Sequence, residues 1–313
     1  MRTVFELRRN HPVVKRLRWK QQMGSGAKHI RPLLLVTSGG MRGVYGGGTV
    51  LALRELGLLD AFDVVVGISA GGPIAAYSLA GDQQAEVGVS VYLEECTGGP
   101  PTNYPFIALY RLSKIVDVDF LHFVFGLGRK RIDVEAVRRS RPDFYLGAFN
   151  VETRQLDVIN AKTAEPDMLT AIKASMAIVG CVEEPVSLNG SRYLDGWLDP
   201  LPLQQLVERF QPTDMIVVPN CTVQQMQQRT TVSPTVVALA TLALRYRSRR
   251  IVEAVLTEPR RIAQSLRWLK QQHQVNVGVL WAPDNSVHQL TTDPKKLLRA
   301  MKLAHWKTLE AFK

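Results

Sequence analysis

The pentapeptide Gly67-Ile68-Ser69-Ala70-Gly71 stands between an apolar, β-branched run at 62–66 and a small-residue stretch at 72–80. The run predicts a strand and the stretch a buried helix, and this context makes a Gly-x-Ser-x-Gly sequence a nucleophile elbow. The serine of such an elbow sits on a strained turn, so Gly67 and Gly71 supply positions with almost no side chain. We therefore predict Ser69 as a nucleophile; a tight strand–helix turn without chemistry is the alternative.

A glycine-rich loop, Gly39-Gly40-Met41-Arg42-Gly43, follows the apolar run 32–36, which predicts a first strand. Residues 44–56 then have a helical pattern. Backbone N–H groups converge in such a loop, which suits a phosphate cradle or an oxyanion hole equally well. The loop lacks the clean Gly-x-Gly-x-x-Gly pattern of a dinucleotide site. Because the serine elbow follows about thirty residues later, we favour an oxyanion hole.

A serine nucleophile needs a base, and the sequence offers two kinds. An α/β-hydrolase places its histidine late in the chain, which makes His273, His288 and His305 candidates. Each lies among polar residues, as a surface histidine would. Asp195, followed by Gly196 at the end of a predicted strand, is better placed to face the elbow.

The rest of the chain alternates predicted strands and helices and favours one α/β domain with a helical tail. We expect a basic N-terminal leader at 1–31, a catalytic domain at 32–220, and a helical C-terminal extension at 221–313 packed on the same domain. The apolar segment 115–125 suits either the core or the cover of a lipid-binding cleft, and we favour the core. The other patterns indicate a hairpin at 144–160, helices at 166–176, 201–210, 234–272 and 293–312, and strands at 192–194, 214–218 and 275–281.

The net charge of +11 is concentrated in residues 1–31, which hold nine Lys/Arg and one acid. Lys15-Arg16-Leu17-Arg18-Trp19-Lys20 interleaves cations with apolar side chains, which predicts peripheral contact with anionic membrane, where each basic residue contributes about 1 kcal/mol. A solvated leader is the alternative. Phosphates of nucleic acid would also attract it, but no nucleic-acid-binding motif accompanies the charge, so we expect no nucleic-acid partner.

Three cysteines, Cys96, Cys181 and Cys221, have neither disulfide nor zinc-site spacing. This predicts a reducing, cytoplasmic compartment. The basic N-terminus lacks the apolar stretch of a signal peptide. We expect neither a metal nor a cofactor.

Four ordered segments resemble motifs of the patatin-like phospholipase family, in particular bacterial members with a helical C-terminal extension. The elbow at 67–71 matches fully, and the resemblance spans Leu33 to about Val218. The loop Gly-Gly-Gly-x-Arg-Gly resembles 38–43. The segment Ala-Ser-x-Ala-x-Pro resembles 174–179, and Asp-Gly-[Gly/Ala] with a following Asp-Pro-x-Pro resembles 195–202.

The resemblance implies an α/β/α sandwich with a mainly parallel central sheet and a dyad of Ser69 as nucleophile and Asp195 as base. It implies hydrolysis of lipid esters through an acyl-enzyme. The amides of the loop would hold the oxyanion, and four further glycines complete the motifs. The loop residues are Gly39, Gly40, Met41 and Arg42; the motif glycines are Gly43, Gly67, Gly71 and Gly196.

Three positions depart from the family pattern. Ser38 stands for the first loop glycine, Val179 for a proline, and Trp197 for a small residue. Trp197 is bulky enough to narrow or reshape an acyl pocket. Two other functions therefore stay open: a serine esterase or thioesterase that uses a late histidine, and a scaffold that binds lipid without turnover.

Overall fold

The structure, a computed structural model, describes residues 5–108, 110–111 and 114–313, with Ser25 described by its backbone alone. Residues 1–4 of the predicted leader lie outside the described residues. Within the described ranges the strands are β1 (Pro32–Val36), β2 (Val64–Ile68), β3 (Asp143–Asn150), β4 (Leu156–Asn160), β5 (Val186–Leu188), β6 (Ser191–Asp195), β7 (Asp214–Val218) and β8 (Asn276–Val279).

Helices cover both faces of the sheet, and 3₁₀ turns connect several of them. The α-helices are α1 (Pro12–Met23), α2 (Gly43–Glu55), α3 (Gly71–Leu79), α4 (Asp82–Ser90), α5 (Val118–Gly126), α6 (Val134–Arg139), α7 (Met168–Ser175), α8 (Leu203–Phe210), α9 (Val223–Gln228), α10 (Pro234–Ala243), α11 (Arg249–Gln271) and α12 (Pro294–Phe312). Three 3₁₀ turns border the site described below: Gly40–Arg42, Gly196–Leu198 and Leu244–Tyr246.

The eight strands of the described residues form one sheet in the order β5-β6-β3-β2-β1-β7-β8, with β4 paired to β3. The neighbouring pairs β3–β2, β2–β1, β1–β7 and β7–β8 are parallel. Strands β4, β5 and β6 run antiparallel to their neighbours. The prediction of an α/β fold with a mainly parallel sheet is confirmed.

Alternate residues of β1 face opposite sides of the sheet. Leu34 and Val36 belong to one buried apolar cluster with residues of α2, α3, α7 and α12. Leu33 and Leu35 belong to a second cluster with residues of α8 and α11. Because both faces are covered, the strand is a continuous apolar run rather than an alternating one. The result is the α/β/α sandwich that the sequence predicted.

The register of β3 determines which loops meet. Gly147 pairs with Ile68 at the end of β2, and the next residue, Ala148, pairs with Asp195 at the end of β6. β4 occupies the other edge of β3 at the same residues, so β2 and β6 lie end to end along one edge. The turn after β2 and the end of β6 are thereby neighbours, although they are far apart in sequence.

The N-terminal segment packs on the body through α1, where Val13, Val14 and Leu17 are buried. Arg16 pairs with Asp214 at 2.8 Å, and Lys20 pairs with Asp63 at 3.2 Å. Both acids lie at the amino ends of strands in the sheet. α1 is therefore fixed at the edge where parallel strands begin.

The C-terminal region contributes a strand as well as helices, since β8 extends the sheet beside β7. α12 lies directly on α2: a Cβ added at Gly48 would collide with the backbone carbonyl of Met301. The division into units at 1–31, 32–220 and 221–313 stays a prediction. No helix among the described residues combines the length and apolar character that a membrane crossing requires.

Candidate active site

Ser69 occupies the turn between β2 and α3 with a left-handed backbone, φ +54°. A non-glycine residue in this region is strained, as expected for an elbow that exposes its side chain. The flanking glycines are sterically required. A Cβ at Gly67 would lie 2.6 Å from Gly72 Cα, and one at Gly71 would collide with the carbonyl oxygen of Val36. The N-terminus of α3 lies directly after the serine, where its dipole favours negative charge.

The Ser69 hydroxyl donates a hydrogen bond to Asp195 Oδ2 at 2.9 Å. The other carboxyl oxygen, Oδ1, accepts from the backbone N–H of Trp197 at 2.7 Å. Ser69 and Asp195 are both buried, with 6% and 2% of their surface exposed. The structure thus brings together the two residues that the sequence analysis paired.

Burial raises the pKa of Asp195 from 3.8 to about 7. The hydrogen bonds from Trp197 and Ser69, and the charge of Arg229, act in the opposite direction without cancelling this rise. A general base is most effective when its pKa lies near the working pH. An aspartate at its ordinary pKa would be a weak base, whereas this one is suited to accept a proton near neutral pH.

Ser175 is a site residue to which the sequence analysis gave no role. Its Oγ accepts the backbone N–H of Ser69 at 2.8 Å and donates to the carbonyl of Gly147 at 2.7 Å. Ser175 is fully buried at the end of α7. The hydroxyl therefore ties the strained elbow to β3 and α7. The signal was present, since Ser175 is the serine of the Ala-Ser-x-Ala segment.

The glycine loop differs from the prediction that four of its amides hold an oxyanion. The Met41 N–H donates to the carbonyl of Gln289 at 3.0 Å, and the Arg42 N–H donates to the carbonyl of Gly39 at 3.1 Å. Both amides are engaged by the fold, the first through a partner in a segment with no recognisable pattern. This leaves Gly39 and Gly40 as the loop's available donors.

The amides of Gly39, Gly40 and Ala70, all near Ser69, have no hydrogen-bond partner within the part of the chain that the structure describes. All three residues line the cavity that contains Ser69. Gly40 has φ +55°, and a Cβ there would lie 2.8 Å from the carbonyl oxygen of Gln289, so only glycine fits. Gly43 and Gly196 are close-packed in the same way, against Tyr92 and the carbonyl of Gly147.

Arg229 brings a positive charge next to the dyad. Its guanidinium lies over the Trp197 ring at 5.8 Å and pairs with Glu258 at 2.6 Å. Glu258 is 1% exposed on α11, and burial raises its pKa. The charge of Arg229 lowers the pKa of Asp195, against the larger effect of burial.

A cavity of about 390 Å³ opens at Ser69 and Asp195. This is within the range of ligand pockets, roughly 300–1,000 Å³. Its lining is almost entirely apolar, including Tyr77, Val91, Ile107, Val118, Leu121, Phe125, Met176, Ile178, Leu239 and Leu242. The three departures from the family pattern, Ser38, Val179 and Trp197, all line it. α5 accounts for both alternatives at 115–125, because its buried face is also a wall of the cavity.

The late histidines lie elsewhere. His305 Nε2 is 2.8 Å from Glu55 Oε2, and His273 and His288 are exposed. Among the residues that the structure describes, no histidine hydrogen-bonds to Ser69 or Asp195. Across the same residues, no group of three or more His, Cys, Asp or Glu side chains is arranged to hold a metal ion.

One comparison with known proteins, the scan against family models, agrees with the resemblance. The patatin-like phospholipase family model matches residues 34–95, which run from β1 through the glycine loop and elbow to the end of α4. The matched model describes a family of lipid hydrolases. Among solved structures, the chain is similar to the crystal structure of VipD from Legionella pneumophila, with 12% identity and a TM-score of 0.48 over 90% of this chain and 66% of that one. No curated protein matches.

Proposed function

We propose that this patatin-like chain is a lipid acyl hydrolase, of phospholipase A type or a broad carboxylesterase, with Ser69 and Asp195 as its catalytic dyad. The observation that carries the proposal is the 2.9 Å hydrogen bond between Ser69 Oγ and Asp195 Oδ2 at the base of an apolar cavity. An acyl chain fits such walls because its burial removes apolar surface from water.

In the first half-reaction, Ser69 Oγ attacks the ester carbonyl while Asp195 Oδ2 takes the hydroxyl proton. The carbonyl oxygen becomes an anion, and the amides of Gly39, Gly40 and Ala70 are the donors available to stabilise it. Stabilisation by a single donor in such a hole is worth about 10²–10³-fold in rate. The protonated Asp195 then gives its proton to the leaving alkoxide, which departs as the alcohol and leaves the acyl group on Ser69.

In the second half-reaction, a water molecule replaces the alcohol and Asp195 removes its proton. The hydroxide oxygen bonds to the acyl carbon, the bond to Ser69 Oγ breaks, and Asp195 returns the proton to the serine. The Trp197 N–H bond to Oδ1 holds the carboxyl group in one orientation through both steps.

A histidine-dependent esterase is less well supported, because Asp195 is the side chain that meets the Ser69 hydroxyl. A non-catalytic lipid-binding scaffold would share the cavity but has no need for a strained serine at φ +54°. Strain of this kind persists where surrounding structure enforces it, most often at functional sites.

Covalent labelling by a fluorophosphonate, combined with hydrolysis of a panel of phospholipids and short esters, tests the proposal. We expect the wild-type chain to be labelled and Ser69→Ala to be neither labelled nor active. Asp195→Asn should lose about 10²–10⁴-fold in turnover, since an amide cannot accept the proton. His273→Ala, His288→Ala and His305→Ala serve as matched controls and should stay near wild type.

Two results would contradict the dyad. A folded Asp195→Asn enzyme with near-normal rate would remove Asp195 from the mechanism, and loss of activity in one histidine variant would favour the histidine-dependent alternative. An unlabelled wild-type chain would favour the non-catalytic scaffold. Thermal melting of each variant separates loss of chemistry from loss of fold.

A further inference from the structure

Helix α10, Pro234–Ala243, contains no charged residue but is only partly buried. Val236, Ala240 and Ala243 pack into the main core. The outer side of the helix and its ends are in solvent, where Val232, Val237 and Leu244 are 58%, 52% and 63% exposed. A helix that is apolar all round is normally buried in protein or in a membrane.

This helix forms one border of the cavity mouth. Leu239 and Leu242 line the cavity from α10. Thr235 and Ala238 line it too and are solvent-exposed, as is Leu290, another lining residue. Exposed residues of α10, Thr235 and Ala238, therefore border the entrance through which a substrate reaches Ser69, and the exposed Val237 lies on the same helix.

The part of the chain around α10 carries positive charge and no acidic residue. Residues 215–252 contain five arginines and no Asp or Glu. Four of the arginines follow α10 directly, at 245, 247, 249 and 250. Arg247 and Arg250 are exposed, and no salt bridge joins either to a carboxylate among the described residues. Exposed apolar side chains next to cations without a carboxylate partner complement a surface that has an apolar interior and an outer layer of anionic groups.

We propose that the chain docks on an anionic phospholipid bilayer through α10 and the arginines that follow it. We call this contact region the mouth surface and define it by five exposed residues: Val232, Val237, Leu244, Arg247 and Arg250. The apolar side chains enter the boundary between headgroups and acyl chains, and the arginines bind lipid phosphates. The reason for this orientation rests on the proposed function, because docking here presents the cavity mouth to the lipid.

The predicted leader would hold the chain the other way. Arg16 and Lys20 of α1 contact acids at the amino ends of β7 and β2, whereas Ser69 lies beyond the carboxyl end of β2. Five residues of strand separate these ends by about 16 Å. A bilayer at Lys15 and Trp19 of α1, both exposed, would face the edge of the sheet opposite the elbow.

Sedimentation of the chain carrying Ser69→Ala with vesicles tests the surface without consuming the lipid. The vesicles contain phosphatidylcholine alone or equal parts of phosphatidylcholine and phosphatidylglycerol. We expect binding to the anionic vesicles only. Arg247→Gln with Arg250→Gln should weaken it about 30-fold, from about 1 kcal/mol for each cation. Val237→Asp and Leu244→Asp should each weaken it tenfold or more.

The matched controls place the same changes on other exposed surfaces. Lys15→Gln on α1 and Trp306→Asp on α12, where Trp306 is 53% exposed, should bind as the parent does. Equal binding to both vesicle types, no binding to either, or loss of binding only in the control variants would overturn the proposal. Self-association that the mouth variants abolish while vesicle binding persists would also overturn it, because the surface would then serve a second copy of the chain.

A parallel assay keeps this inference separate from the proposed function. In the active chain, Val237→Asp and Leu244→Asp should leave hydrolysis of a water-soluble ester unchanged and reduce hydrolysis of vesicle phospholipid. If the chain binds vesicles through the mouth surface but hydrolyses no ester, the docking proposal stands and the proposed hydrolase function is wrong. If the chain hydrolyses esters and the mouth variants bind vesicles as the parent does, the hydrolase function stands and the docking proposal is wrong.

Discussion

Lowering the pH should switch the enzyme off through Asp195. With its pKa raised to about 7 by burial, the carboxyl group is mostly protonated at pH 6 and mostly ionised at pH 8. Only the ionised form can act as the base, so kcat/KM should rise about tenfold between these two pH values and then level off. At the ordinary value of 3.8, the rise would be complete before pH 6.

The same raised pKa has a cost in stability. A pKa that is higher in the folded state favours the protonated group, so its contribution is fully present below pH 3.8 and is lost as the pH rises through about 7. A rise of this size corresponds to about 4 kcal/mol. Asp195→Asn carries no such charge, so its free energy of unfolding should exceed that of wild type at pH 8 and approach it near pH 4.

Initial rates on a water-soluble ester, measured from pH 5 to pH 9 under kcat/KM conditions, test the predicted pH dependence of the reaction. Urea unfolding at pH 4 and pH 8 tests the predicted change in the free energy of unfolding. Replacing the Arg229–Glu258 pair by Arg229→Gln with Glu258→Gln should move the kinetic midpoint upward, since Arg229 lowers the pKa of Asp195. The exposed pair Arg138→Gln with Glu135→Gln is the control. A flat rate profile from pH 6 to pH 8, with no stability gain in Asp195→Asn, would refute the reasoning.

Three further perturbations follow from the site. Ser175→Ala removes the acceptor of the Ser69 N–H and should cost about 1–3 kcal/mol in urea unfolding, with a lower kcat. Gly71→Ala would push a methyl group into the Val36 carbonyl and should prevent soluble expression, whereas Gly26→Ala, whose Cβ meets nothing closer than 3.9 Å, should express normally. Ester hydrolysis should survive EDTA; loss restored by calcium would mean a different mechanism.

Much of the central sheet could be read from the sequence because its strands are buried on both faces. β1 has the predicted bounds 32–36, and β7 has the predicted bounds 214–218. Continuous apolar runs between turn residues leave little ambiguity in such strands. The elbow could be predicted for a related reason, since Gly67 and Gly71 are required by contacts with residues a few positions away or with the neighbouring strand β1.

What the sequence did not reveal depends on long-range packing. The pattern at 234–272 is helical throughout and does not show where a helix ends. The structure has a break between α10 and α11, where Arg247 adopts φ +49° without a glycine or proline at that point. The partner of the Met41 amide, Gln289, is nearly 250 residues away in a segment without periodicity. The number of amides left for an oxyanion is therefore a tertiary property.

Charge counting had the same weakness, because it treats every cation of the leader as available to a partner. Asp214 is fully buried and Arg16 pairs with it at 2.8 Å, while Lys20, 5% exposed, donates to the carbonyl of Ile30. These contacts stabilise the amino end of the sheet, so the two cations are not free to leave it. At the carboxyl end the arginines at 247 and 250 have no such duty among the described residues. The contacts that a cation makes in the fold, and not its number in the sequence, therefore decide whether it can bind a lipid phosphate.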